Sequence, residues 1–275
     1  MKKLSLRKFI KSLGFAVTLG MAASAQAAIM TDIIMIVDES GSMGTVQTNL
    51  RNNIGAFASI LSAGGIDAQY GLVGYGNSSV IPRMVTNLTN PTSFATAALG
   101  LGVSGGTEPG YTATAFALNA LDGQSSLFSF RTGALKNIII FTDEPSNGDT
   151  IARGAVGGSA VTLTIADGLL TNSNALFNAV LRNQNTINSY TPLTTAHSGN
   201  VYDLNGLNTT NQTAVTAFVD SFARSKLQEI VDFCTLNPTA PACQGGPNVV
   251  PEPGALALLG IGFMGLAAAR RRKTA

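Results

Sequence analysis

Asp38, Ser40 and Ser42 stand at alternate positions directly after the apolar run Ile33-Ile34-Met35-Ile36-Val37. On a strand end or turn every second side chain shares a face, so one carboxylate and two hydroxyls can point to the same side. Far along the chain, Thr107 follows Gly105-Gly106, and Asp143 follows the run Asn137-Ile138-Ile139-Ile140-Phe141 and Thr142. Together these five residues offer only oxygen. Mg²⁺ takes about six oxygens near 2.1 Å and usually keeps some waters. Two carboxylates with Ser and Thr hydroxyls would hold such an ion and leave it electrophilic, with a position open to an acidic ligand. Mn²⁺ suits the same donors, Ca²⁺ prefers more oxygens at longer range, and a metal seeking thiolate or imidazole finds neither here. On its own, Asp-x-Ser-x-Ser would equally make a helix N-cap or an ordinary turn.

Bringing these residues together demands a particular architecture. The two apolar runs are continuous, as in parallel strands buried on both faces. Each ends near an acid, and the carboxyl ends of the strands form the binding edge of an open α/β sheet. After Asp38, the turn Gly41-Ser42-Met43-Gly44 leads to Leu50, Ile54, Phe57, Ala58 and Leu61, spaced as one helical face. Further strands are expected over 69–75 and 80–85, and a helix over 112–121 stopped by Asp122-Gly123. Val215, Phe218, Val219, Phe222, Ile230 and Val231 mark a long terminal helix. The pattern predicts an α/β fold with a doubly wound, mostly parallel central sheet flanked by helices. Residues 160–203 give no clear strand order. Glu39, Glu108 and Glu144 read as exposed loop acids, and His197, outside every motif, as a surface residue.

The Asp38-Glu39-Ser40-Gly41-Ser42 segment after an apolar strand resembles the Asp-x-Ser-x-Ser motif of von Willebrand factor A domains. Thr107 and Asp143 fall where that family carries its later threonine and aspartate. The resemblance covers roughly residues 31–233 and loosens after Gly148. It implies a Rossmann-like domain in which Asp38, Ser40, Ser42, Thr107 and Asp143 form a metal-ion-dependent adhesion site. It further implies a partner, protein or acidic glycan, whose carboxylate completes the cation's coordination.

The two ends of the chain carry a different message. Lys2, Lys3, Arg7, Lys8 and Lys11 precede an apolar stretch from Leu13 to Ala23 and the small-x-small site Ala25-Gln26-Ala27. This is the layout of a secretory signal peptide over 1–27. At the far end, Pro251-Glu252-Pro253 precedes an apolar run over 254–269 and Arg270-Arg271-Arg272-Lys273. As a helix that run would span roughly 24 Å against a hydrocarbon core of ~30 Å, a marginal transmembrane segment. Its basic end would stay cytoplasmic and leave the rest of the chain outside. This tail, residues 250–275, resembles the PEP-CTERM sorting signal of Gram-negative bacteria, which an exosortase-like enzyme is thought to process. The resemblance implies export to the cell surface, outer envelope or extracellular matrix, with a transient or permanent inner-membrane anchor. Cys234 and Cys243, the only cysteines, would then pair as a disulfide in an oxidising compartment, closing a linker over 234–249 behind a domain over 28–233.

Composition narrows the function classes. Nine of the 17 Lys and Arg residues lie in the two targeting segments, leaving 8 basic against 15 acidic residues between 28 and 253, a net charge of −7. An acidic domain without a basic patch argues against nucleic acid as a partner. No Gly-x-Ser-x-Gly elbow, His-Glu-x-x-His or phosphate-cradling loop is present, so a binding module is expected rather than an enzyme. The alternatives are a structural matrix component with a fold-stabilising cation and, less well supported, a metal-dependent hydrolase.

Overall fold

In a computed structural model, residues 28–77 and 81–245 are described; the expected signal peptide, the Pro-Glu-Pro motif and the apolar run over 254–269 lie outside them. β1 (Ile29–Asp38) is buried along nearly its whole length, because its alternate residues serve two cores. Ile33, Met35 and Val37 point to one, Ile34 and Ile36 to the other. After a short 3-10 turn at Gly41–Met43, α1 (Gly44–Ala63) turns Leu50, Ile54, Phe57, Ala58 and Leu61 inward. β2 (Ile66–Tyr75) then pairs parallel with β1.

β3 (Arg83–Thr89) is the one antiparallel strand of the main sheet and follows β2 with two register irregularities. It lies later in the chain than the expected 80–85, because the bulged, half-buried edge carries only a weak apolar pattern. α2 (Pro91–Ala97) is capped by the Asn90 side chain. α3 (Gly110–Ala117) stops short of the expected end at 121. Asn119 adopts φ 58°, its Oδ1 accepts from the Leu127 and Phe128 amides, and its Nδ2 donates to the Phe128 carbonyl. A local side-chain network here displaces helical hydrogen bonding.

β4 (Leu135–Thr142) pairs parallel with β1 on the side away from β2. A small hairpin, β5 (Ala155–Val156) with β6 (Ser159–Ala160), precedes α4 (Leu163–Asn172). The stretch that was unclear in sequence then continues the alternation with β7 (Leu176–Leu181), α5 (Gln184–Ala196) and β8 (Val201–Asp203). The long α6 (Gln212–Leu236) closes the domain. The six-stranded sheet runs β3-β2-β1-β4-β7-β8. Strand order reverses between β1 and β4, which makes that junction the topological switch point of a doubly wound sheet.

α1 and α6 cover one face of the sheet, with Phe57 stacked on Phe222 at 5.2 Å between ring centroids. Residues of α3, α4 and α5 cover the other. Cys234, in the last turns of α6, is bonded to Cys243 in a 3-10 turn at Pro241–Cys243, so the bridge fastens the end of the helix. Closing a loop of this size contributes roughly 2.5–3 kcal/mol in the chain-entropy view. Among the described residues no helix is long and apolar enough to cross a membrane.

Tyrosine burial gives a testable alkaline limit. Burial raises the pKa of all five tyrosines; Tyr202 reaches about 12, and Tyr75 and Tyr190 lie well above the ordinary value. A group whose folded pKa is raised keeps its contribution below the unfolded pKa and loses it as pH climbs toward the folded pKa. Stability should therefore decline above about pH 10, the ordinary tyrosine pKa. Phenolate absorbance should appear together with loss of helical circular dichroism; phenolate absorbance that rises near pH 10 in a protein still fully folded would contradict this burial.

Candidate metal centre at the sheet switch point

Asp38 is the last residue of β1 and is fully buried. Its Oδ1 accepts the Ser40 amide at 2.7 Å and its Oδ2 accepts the Thr142 hydroxyl at 2.9 Å. Burial raises its pKa to about 6; the Ser40 and Thr142 hydrogen bonds oppose the rise and the Asp143 charge adds to it. Ser40 precedes the 3-10 turn, but its side chain makes no capping bond. It meets Ser42 instead, Oγ to Oγ at 3.2 Å, and the Ser42 hydroxyl donates to Asp143 Oδ1 at 3.0 Å. Four of the five expected ligands thus form one chain across the switch point, from the end of β1 to the residue after β4.

Asp143 is fixed from the far side. Its carbonyl accepts the Asn183 side-chain amide at 2.8 Å and the Thr186 hydroxyl at 3.0 Å, both from the start of α5. Its Oδ2 accepts Arg182 Nη1 at 3.1 Å. That guanidinium, 44% exposed, is a solvent-facing counter-charge to Asp143 rather than a buried partner.

Thr107 stands at the same edge without a hydrogen bond to the other four. A Cβ at Gly76 would lie 3.1 Å from Asp38 Oδ1, 3.5 Å from Glu108 Cγ and 3.6 Å from the Thr107 carbonyl, so these groups surround one small space. Gly76 has φ 83°, and Gly105 has φ 119° with a Cβ position 2.3 Å from the Gly76 carbonyl. Only glycine allows the two loops to approach so closely.

Glu39, expected to be exposed, is fully buried and anchors the Thr107 loop. Its carboxylate pairs with Arg83 of β3 and accepts the Gly102 amide at 2.6 Å and Asn77 Nδ2 at 3.0 Å. Its carbonyl accepts the Ser104 amide at 2.8 Å. Gln47 reinforces the junction by donating to the Asp38 carbonyl at 3.0 Å and the Gly102 carbonyl at 2.8 Å. Alternation along the chain carried the clue: Glu39 lies between two ligands and faces away from them. Glu108 is also buried, whereas Glu144 is exposed as expected. His197 corrects the surface reading: it is 8% exposed, away from the site, with Nε2 at 2.8 Å from Asp167.

Sequence reading missed Thr142 and Arg182. Both end apolar strands at the carboxyl edge, the signal used for Asp38 and Asp143. Among the described residues no three His, Cys, Asp or Glu side chains form a metal-sized cluster, so a cation at this edge must draw on hydroxyl oxygen. The oxygen donors fit a hard divalent ion, two buried carboxylates with adjacent hydroxyls, while the exposed Arg182 guanidinium on Asp143 would have to give way to it.

The doubly wound sheet with Asp38 and Asp143 at its switch point defines a Rossmann-like α/β domain. Residues 32–157 match the von Willebrand factor type A domain, and residues 249–273 match the PEP-CTERM protein-sorting motif. The chain therefore carries a von Willebrand factor type A domain and a PEP-CTERM sorting motif, and the motif indicates export and processing at the envelope. A comparison with curated proteins finds no match. β7, α5, β8 and α6 complete the sheet and its helical layer beyond the matched segment.

Proposed function

We propose that this protein is a surface-displayed or matrix-associated binding module that holds Mg²⁺, or Mn²⁺, through Asp38, Ser40, Ser42, Thr107 and Asp143. The ion grips a carboxylate of a partner protein or acidic glycan. The observation that carries this reading is the hydrogen-bonded chain Asp38-Ser40-Ser42-Asp143, which gathers oxygen donors from distant parts of the sequence at the switch point. A cation there would supply an electrophile for the partner's carboxylate, while the protein's part is to hold the donors and the loop of Thr107 in place.

Pro241 lies against Gly133, just ahead of β4, at the edge where β1 begins. The ten residues of β1 span roughly 33 Å, which sets this edge far from the candidate site.

Capture of partners from the producing bacterium's matrix, with Mg²⁺ or with EDTA and with melting followed in parallel, tests the reading. Loss of capture in EDTA with a nearly unchanged melting temperature is expected. Capture that persists in EDTA while the melting temperature collapses would instead make the cation a fold-stabilising part of a structural matrix component.

A further inference from the structure

Among the described residues at this edge, Glu108 is a buried carboxyl group whose Oε1 accepts no hydrogen bond, with the Glu144 carboxylate beside it. The residue is fully buried. Asn147, from the loop after β4, holds it on three sides: its Nδ2 donates to Glu108 Oε2 at 2.8 Å, its Oδ1 accepts the Glu108 amide at 3.2 Å, and its own amide donates to the Glu108 carbonyl at 2.9 Å. This clamp sets the carboxyl group, yet Oε1 has no hydrogen-bond partner. The Tyr75 hydroxyl, at the carboxyl end of β2 beside β1, is buried and unpartnered as well.

A buried carboxylate oxygen without a donor is strongly disfavoured unless the group takes up a proton or a cation, or water bound to one, comes to it. The space around Gly76, shared by Asp38 Oδ1 and Glu108 Cγ, puts that oxygen's carboxyl group next to the candidate ligands. Among the described residues no three acidic side chains converge closely enough to share an ion directly, so Glu108 would act on a cation through water rather than as a ligand. Resting on the metal reading above, we propose that Glu108 is a positioning residue whose Oε1 accepts a hydrogen bond from a water on the cation. The residue would then raise affinity for a small, hydrated divalent ion and orient the water beside the position where the partner binds. An outer-shell acceptor of this kind typically contributes about 10–100-fold in metal affinity.

Calorimetry of Mg²⁺ binding to the full chain in detergent, with thermal melting in EDTA, tests the idea on Glu108→Gln. A positioning role predicts two effects of opposite sign. The Kd for Mg²⁺ should rise about 10–100-fold, while the metal-free protein should melt at the same or a higher temperature, because a donor-free buried charge has gone. A purely structural Glu108 would lower the melting temperature and leave Kd within about two-fold of the parent; that result overturns the proposal. Should Glu108→Gln fail to fold, Glu108→Asp keeps the charge but shortens the reach by one methylene, and an unchanged Kd there overturns it equally. If the parent chain takes up no Mg²⁺ at all, the metal reading falls and Glu108's role with it; if Asp38→Ala abolishes uptake while Glu108→Gln does not, only the role of Glu108 falls.

Discussion

Replacing Lys226 by Met is expected to cost about 3–5 kcal/mol of folding stability, the range for breaking a buried ion pair from one side. Lys226 lies on α6 with no exposed surface, and its Nζ donates to Glu229 Oε1 at 2.6 Å and Asn137 Oδ1 at 3.0 Å. Glu229 in turn accepts Asn178 Nδ2 at 3.0 Å and Asn200 Nδ2 at 3.4 Å. The network ties α6 to the middle of β4 and β7 through Asn137 and Asn178, where apolar side chains would otherwise pack. Burial lowers the Lys226 pKa, and its attraction to Glu229 opposes the shift. Removing the ammonium leaves the Glu229 carboxylate in the core with only amide donors and no opposite charge.

A domain stable by only 5–15 kcal/mol in general would lose a large share of that margin. The double variant Lys226→Met with Glu229→Leu should recover much of the loss, since the pair's own burial is costly. Urea unfolding followed by circular dichroism measures both. A single variant that loses less than about 1 kcal/mol, the worth of an exposed pair, would mean that water reaches this network.

Asp38→Ala should bring Mg²⁺ uptake, measured by calorimetry, below detection. Asp38 is the link between β1 and β4 at the site: it accepts from the Ser40 amide and the Thr142 hydroxyl and is the more deeply buried of the two ligand acids. With alanine there, one carboxylate remains, and Asp143 already faces the Arg182 guanidinium. Folding should suffer much less than metal binding. The lost hydrogen bonds are offset by relief of the desolvation that raises the Asp38 pKa to about 6. Circular dichroism of the variant separates loss of the site from loss of the fold, and unchanged Mg²⁺ uptake by a folded variant would rule out this ligand set.

Much of the frame was readable from residue pattern. The runs at 33–37 and 137–141 are apolar without interruption because both faces of β1 and β4 pack against helices. Helical spacing marked α1 and α6, and the paired cysteines were legible from number and compartment. Asp38, Ser40, Ser42 and Asp143 were identifiable because strand ends in such a sheet meet at one edge, and the structure links them as a chain. Thr107 shares the edge but not the chain.

Other features depend on partners that no local pattern reveals. Glu39 and Glu108 look like loop acids by type, and their burial depends on partners brought in from distant segments, Arg83, Asn77 and Gly102 for the first and Asn147 for one oxygen of the second. β7, α5 and β8 were obscure because Asn178 interrupts a buried strand and α5 is rich in Asn and Thr. Lys226 and Asn137 are 89 residues apart, yet hydrogen-bonded in the core. By itself the sequence determined which segments must be strands or helices and where acids end them, since periodicity and chain ends are local. Only the tertiary structure decided which polar groups are buried, because a buried charge is tolerated solely where the fold delivers its partner.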